Sequence, residues 1–118
     1  MKLTISTSAQ SIISPKLRPD TLILLNYDDG VGPYSPHGLE ALQISFKLVL
    51  ISKGMPMDDY DLSMPSDLGS IHVKGYSARF FGSNLKIDFN AHYHLLSLSD
   101  DGEVLEDNLQ IEDRQISS

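Results

Sequence analysis

The chain has 118 residues, 41% of them hydrophobic and 21% charged, which is the composition of an ordinary globular protein of about one domain. It contains no cysteine, so disulfides, thiolate metal ligands and cysteine nucleophiles are excluded. The net charge is −7, and residues 100–118 contribute −6 of it. This acidic end and the absence of a Lys/Arg cluster argue against nucleic-acid binding.

The sequence also argues against a membrane-spanning protein and against a secreted one. No segment approaches the ~18 consecutive apolar residues of a membrane-spanning helix. The N-terminus, MKLTISTSAQ, lacks the apolar run of a secretory signal. We therefore expect a cytoplasmic protein with no membrane contact.

The first elements are a short strand, a short helix and a buried strand. Residues 2–5 predict the strand, and Ser6, Thr7 and Ser8 are candidate N-caps for a helix that Pro15 ends after about two turns. The continuous apolar run 21–27, followed by a turn signal, predicts a buried strand.

Alternation then becomes the dominant pattern. Leu42, Ile44, Phe46, Leu48 and Leu50 fall on one face of a predicted half-buried strand. Shorter alternating runs follow at 70–74, 85–89 and 92–98, and the Asp-Gly pair in SDDGE predicts a tight hairpin turn. Residues 76–81 fit either a helical turn or a strand.

These elements predict a mostly β protein, a β-sandwich or rolled mixed sheet of about six or seven strands with one short N-terminal helix. We expect residues 1–111 to form a single domain and residues 112–118 to be a short polar tail.

The stretch NYDDGVGPYS, residues 26–35, is the most unusual in the chain. Asp28 and Asp29 follow the buried strand, glycines permit close backbone approach, and His37 lies a few residues downstream. Carboxylates with an imidazole suit Fe²⁺, Mn²⁺ or Zn²⁺. The same letters also fit a plain turn made of Asx-turns and glycine bends, and residue types alone favour that interpretation.

His92 and His94 form a weaker candidate site. On a strand, residues two apart share a face, so the two imidazoles would lie side by side and a third ligand would be needed. Because Leu96 and Leu98 share that face, histidines at the margin of a core are the simpler interpretation. His72, between Ile71 and Val73, is expected to point outward.

Catalytic motifs are lacking. The chain has no G-x-S-x-G elbow, phosphate-binding P-loop or dinucleotide-binding G-x-G-x-x-G. We expect a protein that is not an enzyme; a metal- or carboxylate-dependent activity would have to use Asp28, Asp29 and His37.

Taken in order, the segments resemble a known family. TLILLNYDDGVGPYS, the strand LQISFKLVLISK, the run GSIHVKGYSARFFGSNLKIDFN and the ending LSLSDDGEVLEDNLQI resemble the HesB/IscA-like core domain of the Fe–S cluster biosynthesis family. The resemblance spans residues 1–111. It is closest to the short branch of Gram-positive bacteria typified by YqkB-like proteins.

The resemblance implies a mostly β fold that binds iron or a transient Fe–S cluster and passes it to apoproteins. Family carriers use one cysteine in the loop that here contains GVGPYS and a Cys-Gly-Cys pair that would fall near GEVLEDN. This chain has none of the three, so it cannot hold a cysteine-ligated cluster by itself.

Two hypotheses follow from the residues and the resemblance. In the first, the chain keeps a role in iron or Fe–S handling, through oxygen and nitrogen ligands or by holding a partner's cluster, with Fe–S assembly proteins or client apoproteins as partners. Alternatively, it is a non-metal protein-binding or structural β module that keeps only the fold. A homodimer is compatible with both.

Overall fold

The computed structural model describes residues 2–28 and 45–116. These residues form one α-helix, two 3₁₀ helices and nine strands. Their bounds are α1 Thr7–Ile13, the 3₁₀ helices Ser14–Lys16 and Gly75–Phe80, β1 Leu3–Ile5, β2 Thr21–Asp28, β3 Ser45–Ser52, β4 Leu62–Ser66, β5 Gly69–Val73, β6 Leu85–Asn90, β7 Leu95–Asp100, β8 Glu103–Glu106 and β9 Gln110–Asp113. None of the helices within this described part is long and apolar enough to cross a membrane.

The N-terminal helix begins and ends where the sequence predicts. The side chain of Ser6 accepts a hydrogen bond from the backbone N–H of Ala9, so Ser6 is the N-cap. Pro15 lies in the 3₁₀ turn that follows the helix. Ala9 and Ile13 are buried in the core, which anchors the helix to the sheet.

The nine strands form one mixed sheet in the order β8-β7-β6-β1-β4-β5-β2-β3-β9. The pairs β2–β3, β4–β5, β6–β7 and β7–β8 are antiparallel, and β1 lies parallel to both of its neighbours. The sheet curls into a half-barrel. The curl is seen in a contact between β3 and edge strand β8, in which the backbone N–H of Phe46 donates to a carboxylate oxygen of Glu106 at 3.0 Å. Two strands from opposite parts of the sheet order therefore meet.

Strand β3 is buried on both faces, whereas the alternation predicted one. Phe46, Leu48 and Leu50 lie in the main core, as predicted. Val49 and Ile51, on the other face, are fully buried in a second core. The segment between β3 and β4 covers that face, contributing the side chains Met55, Met57 and Tyr60.

The predicted Asp-Gly hairpin is confirmed. Asp101 and Gly102 both have positive φ, 51° and 85°, and Asp100 pairs with Glu103 across the turn. The carboxylate of Asp100 also accepts the backbone N–H of Gly82 at 2.6 Å. A Cβ at Gly82 would lie 2.2 Å from that oxygen, so only glycine fits there without a shift.

The expected six or seven strands were too few, since nine are present in the described residues. The extra strands are short and weakly patterned: β4 contains Pro65, and β9 has the sequence QIED. β4 takes its conformation by pairing with the next strand, β5, and β9 by pairing with the distant β3, and local periodicity reveals neither pairing. The structure also places Glu112 and Asp113, the start of the expected tail, inside β9 beside β3.

Candidate functional site

The loop singled out by the sequence departs from the end of β2. The backbone of Asp28 pairs with Ser45 at the start of β3, so the chain leaves and re-enters the sheet at neighbouring positions. The side chain of Asp28 is not described, and Asp29 and His37 lie outside the described residues. Their assignment as metal ligands stays a prediction. The structure describes the end of β2, from which the loop begins.

A buried polar cluster lies at the root of this loop. Lys74 is fully buried, and its Nζ donates to the backbone carbonyl of Tyr27 at 2.9 Å. The same Nζ lies 5.7 Å from the centroid of the Tyr60 ring, within the range of a cation–π contact. The Tyr60 hydroxyl donates to Oδ1 of the fully buried Asn26 at 2.5 Å. Tyr60 and Lys74, from two different segments of the chain, therefore hold the last residues of β2 in place.

Local features of the chain place Lys74 in this cluster. Lys74 caps the 3₁₀ helix Gly75–Phe80, and its carbonyl accepts from the hydroxyl of buried Ser77 at 2.6 Å. The N–H of Gly75 donates to Oδ1 of Asp61 at 2.7 Å, and a Cβ there would lie 2.6 Å from that atom. Glycine at position 75 thus lets Asp61 hold the helix start and fix the direction of the lysine side chain.

The C-terminal segment GEVLEDN, where the family resemblance places a cysteine pair, reaches the same end of the sheet. Glu106, in this segment, accepts the N–H of Phe46, and Phe46 directly follows the first residue of β3. The Phe46 ring contacts the rings of Tyr27 and Phe81, with centroids 5.3 Å and 5.6 Å apart. Glu106 therefore lies beside the start of β3, the strand that follows the loop, with its carboxylate on the β3 backbone.

His92 and His94 are not on a strand, which corrects the prediction for this pair. They lie in the exposed turn between β6 and β7, where Oδ1 of Asn90 accepts the N–H groups of His92 and Tyr93. His94 has a positive φ of 55°. The alternating pattern continues through these residues, but the Asn90 side chain stabilises a turn instead.

His72 and Glu112, two of the described groups whose pKa is shifted, have structural surroundings. Partial burial lowers the pKa of His72, which lies on β5 opposite Leu24 and Ser63. Burial would raise the pKa of Glu112, but hydrogen bonds and charge from Arg114 and Lys47 outweigh it and lower the pKa. Among residues 2–28 and 45–116, no three His, Asp or Glu side chains are grouped closely enough to hold a metal ion.

Comparison with known proteins decides the family. The sequence matches the family described as iron–sulphur cluster biosynthesis over residues 1–113. The chain belongs to this family. The predicted HesB/IscA-like resemblance is thereby confirmed, and the family's cysteine ligands are absent from this member.

Solved structures give the same assignment. The chain is similar to a proposed Fe–S biosynthesis protein from Lactobacillus salivarius, described as having a novel fold, with a TM-score of 0.87 and 31% identity over 98% of this chain and 100% of that one. A proposed Fe–S biosynthesis protein from Lactobacillus acidophilus has a TM-score of 0.73 and 24% identity, over 96% and 90% of the two chains, and shows the shared fold. No curated protein matches significantly.

Sequence reasoning missed the buried polar cluster at the end of β2. Asn26, Tyr60 and Lys74 are far apart in sequence and belong to no motif. The contact of Glu106 with the Phe46 N–H was missed as well. One signal was present: Lys74 sits inside IHVKGYSARFF, which carries much of the family resemblance. A charged residue directly after a buried strand residue, Val73, is a candidate for a specific buried contact.

Proposed function

We propose that this protein handles iron, or clusters built from iron, through oxygen and nitrogen ligands at the loop that follows β2. The observation that carries the proposal is the contact between Phe46 N–H and the Glu106 carboxylate. It puts a carboxylate from the segment GEVLEDN beside the start of the strand that follows the loop, in a member of the family that has no cysteine.

Ligand chemistry supports ferrous iron as the cargo. Carboxylate and imidazole groups suit Fe²⁺, whereas clusters are normally held by thiolates. Asp28, Asp29 and His37 supply carboxylates and an imidazole within a ten-residue stretch of sequence that begins at the last residue of β2. Because Lys74 binds the carbonyl of Tyr27, one residue before the end of β2, the strand from which the loop starts is held in a defined position.

The proposal includes a role and a location. The protein acts as a carrier or binding protein and not as an enzyme, in the cytoplasm, with Fe–S assembly proteins or client apoproteins as partners. The family membership and the donor set support this role.

The experiment is anaerobic loading of the full chain, purified without a metal-affinity tag. The protein is incubated with ferrous iron, with and without sulfide, then desalted and assayed for bound metal and visible absorbance. We expect iron to be retained without sulfide, and Asp28→Ala/Asp29→Ala/His37→Ala to lose it. Failure of the wild type to retain iron, or full retention by the triple variant, would refute the proposal.

The chain offers matched controls for this experiment. Asp58 and Asp59 form a second exposed Asp-Asp pair in the segment after β3, and Asp58→Asn/Asp59→Asn should leave iron retention unchanged. His92→Asn/His94→Asn tests the weaker candidate site in the β6–β7 turn. Loss of iron in this pair alone would move the site to that turn.

A second candidate function is a protein-binding β module that needs no metal. One observation favours it: the outer face of strands β6, β7 and β8 carries an exposed groove lined by Tyr93, Leu95 and Val104. Under this function the iron experiment fails and a partner still binds at the groove.

A further inference from the structure

The outer face of β6–β7–β8 is left uncovered by the described chain. On the other part of the sheet, the segment 53–60 covers the outward side chains of β2 and β3. Here the outward residues of β7 and β8, including Leu95, Ser97 and Val104, line a groove of about 470 Å³ together with Asn90, Tyr93 and Asp107. A second groove, which shares Asn90 and Ser97, continues along the same face toward Asp88.

Exposed apolar side chains concentrate in this groove. Tyr93 is 67% exposed and Val104 is 58% exposed. They are two of the three large apolar residues in the described part of the chain that are more than half exposed; the third is Ile116. Concentrated apolar exposure of this kind marks interaction surfaces, whereas single exposed residues do not.

The groove presents its aromatic residue in a fixed position. Oδ1 of Asn90 accepts the N–H of Tyr93 and of His92, so the backbone of the β6–β7 turn is held. The ring of His92 meets the ring of Tyr93 edge-on, with centroids 4.6 Å apart. A held aromatic ring loses little conformational entropy when it is covered, which favours its use in binding.

The charges around the groove are mostly negative. Asp107 lines it, and Asp88 lies at the far end. Lys86, the cation on this face, already pairs with Asp88 at 3.8 Å. A second copy docked face to face would bring like charges together, because a two-fold interface places the same patch on both sides. A cationic partner meets complementary charge.

We propose that this face binds a basic peptide segment of a partner protein, with an apolar or aromatic side chain seated between Tyr93 and Val104. A flanking Lys or Arg group pairs with Asp107, and an Arg stacks on the Tyr93 ring. The surface is independent of iron and supplies the binding site that the second candidate function requires.

The test is an NMR titration of the isotopically labelled full chain with two synthetic tripeptides, acetyl-Arg-Trp-Arg-amide and acetyl-Glu-Trp-Glu-amide. We expect saturable shifts at residues 90–95 and 103–107 with the basic peptide, and binding weaker by roughly tenfold or more with the acidic one. Tyr93→Ala should weaken binding by about fivefold or more, as removal of an aromatic anchor does.

Tyr76→Ala, which truncates an exposed tyrosine outside the groove, should bind like the wild type. Equal affinity for the two peptides, shifts centred elsewhere, or no saturable shifts would overturn the proposal. Concentration-dependent shifts of the groove residues without peptide would also overturn it and assign the face to a second copy. None of these outcomes bears on iron retention, so the two proposals fail separately.

Discussion

At the scale of single residues, Phe46 joins the main core to the C-terminal segment. Its side chain is 8% exposed and packs between the rings of Tyr27 and Phe81, on the face that alternation along β3 predicts to be buried. Its backbone contact with Glu106 spans 60 residues and has no local signal. Burial follows from periodicity within one strand, whereas partners depend on how distant strands are brought together.

Truncation of Phe46 tests the face assignment of β3. Phe46→Ala should lower the free energy of unfolding by about 3–5 kcal/mol, because it removes a buried ring and leaves a cavity. Phe46→Leu, which keeps most of the volume, should cost clearly less. Denaturant unfolding measures both variants, and a loss below about 1 kcal/mol for the alanine would show that the ring does not support the core.

His72 makes the free energy of unfolding depend on pH. Burial lowers its pKa, so the unfolded chain takes up a proton more readily than the folded one. The stabilising contribution is therefore complete above the ordinary value of 6.5 and is lost as the pH falls through the lower folded-state pKa. His72→Asn should flatten the decline in unfolding free energy on acidification below neutrality.

Urea unfolding at several pH values between neutrality and the carboxyl range measures this term. The control is His92→Asn, in the exposed β6–β7 turn, which should leave the pH profile unchanged. If His72→Asn and the wild type decline in parallel, burial of His72 does not contribute to the pH dependence.

At the scale of elements, the helices, strands and turns that could be predicted are those with a strong local sequence pattern. The capped helix, β2, β3 and the Asp-Gly turn each carry a clear local signal, and all four are present. β9 pairs in parallel with β3 from a position about 60 residues away, so its four residues acquire their conformation from a neighbour. The pattern predicts strand at the β6–β7 turn because the turn contains no glycine or proline. The Asn90 side chain stabilises this turn by accepting the N–H of His92.

The packing between elements at the root of the loop is also testable. Tyr60, from the segment between β3 and β4, donates to Asn26 of β2 in a fully buried environment. Tyr60→Phe removes that hydroxyl and should cost about 1–3 kcal/mol, the range for disrupting a buried hydrogen bond. Tyr76→Phe, at an exposed position, is the matched control.

Thermal and denaturant unfolding of the two variants give the comparison. Tyr60→Phe should be less stable and should also retain iron less firmly, since β2 would no longer be held at its end. Stability equal to that of the Tyr76→Phe control would mean that the Tyr60 hydroxyl does not fix β2.

At the scale of the whole molecule, the fold persists where the family's usual ligands are lost. The match covers residues 1–113, and the similarity to the Lactobacillus salivarius structure spans 98% of the chain. The curled sheet brings the segment around Glu106 to the start of β3, the strand that follows the loop. The fold could be anticipated from the family order of segments; a ligand set could not, because the chain has no cysteine and its acidic residues and histidines have several structural uses.

The charge distribution supports the second region that we propose. Acidic residues are concentrated in the last 19 positions, and Asp107, which follows β8, lines the exposed groove. A cargo site at one end of the half-barrel and a docking face on the outside of β6–β8 would let one small domain bind iron and a partner at separate surfaces.

The iron content of the full chain, purified without a metal-affinity tag, loaded anaerobically with ferrous iron and desalted, tests the central claim most directly. Elemental analysis should find iron retained by the wild type and by Asp58→Asn/Asp59→Asn, and lost from Asp28→Ala/Asp29→Ala/His37→Ala. A wild type that emerges from desalting without iron would contradict the claim that this cysteine-free family member still holds iron.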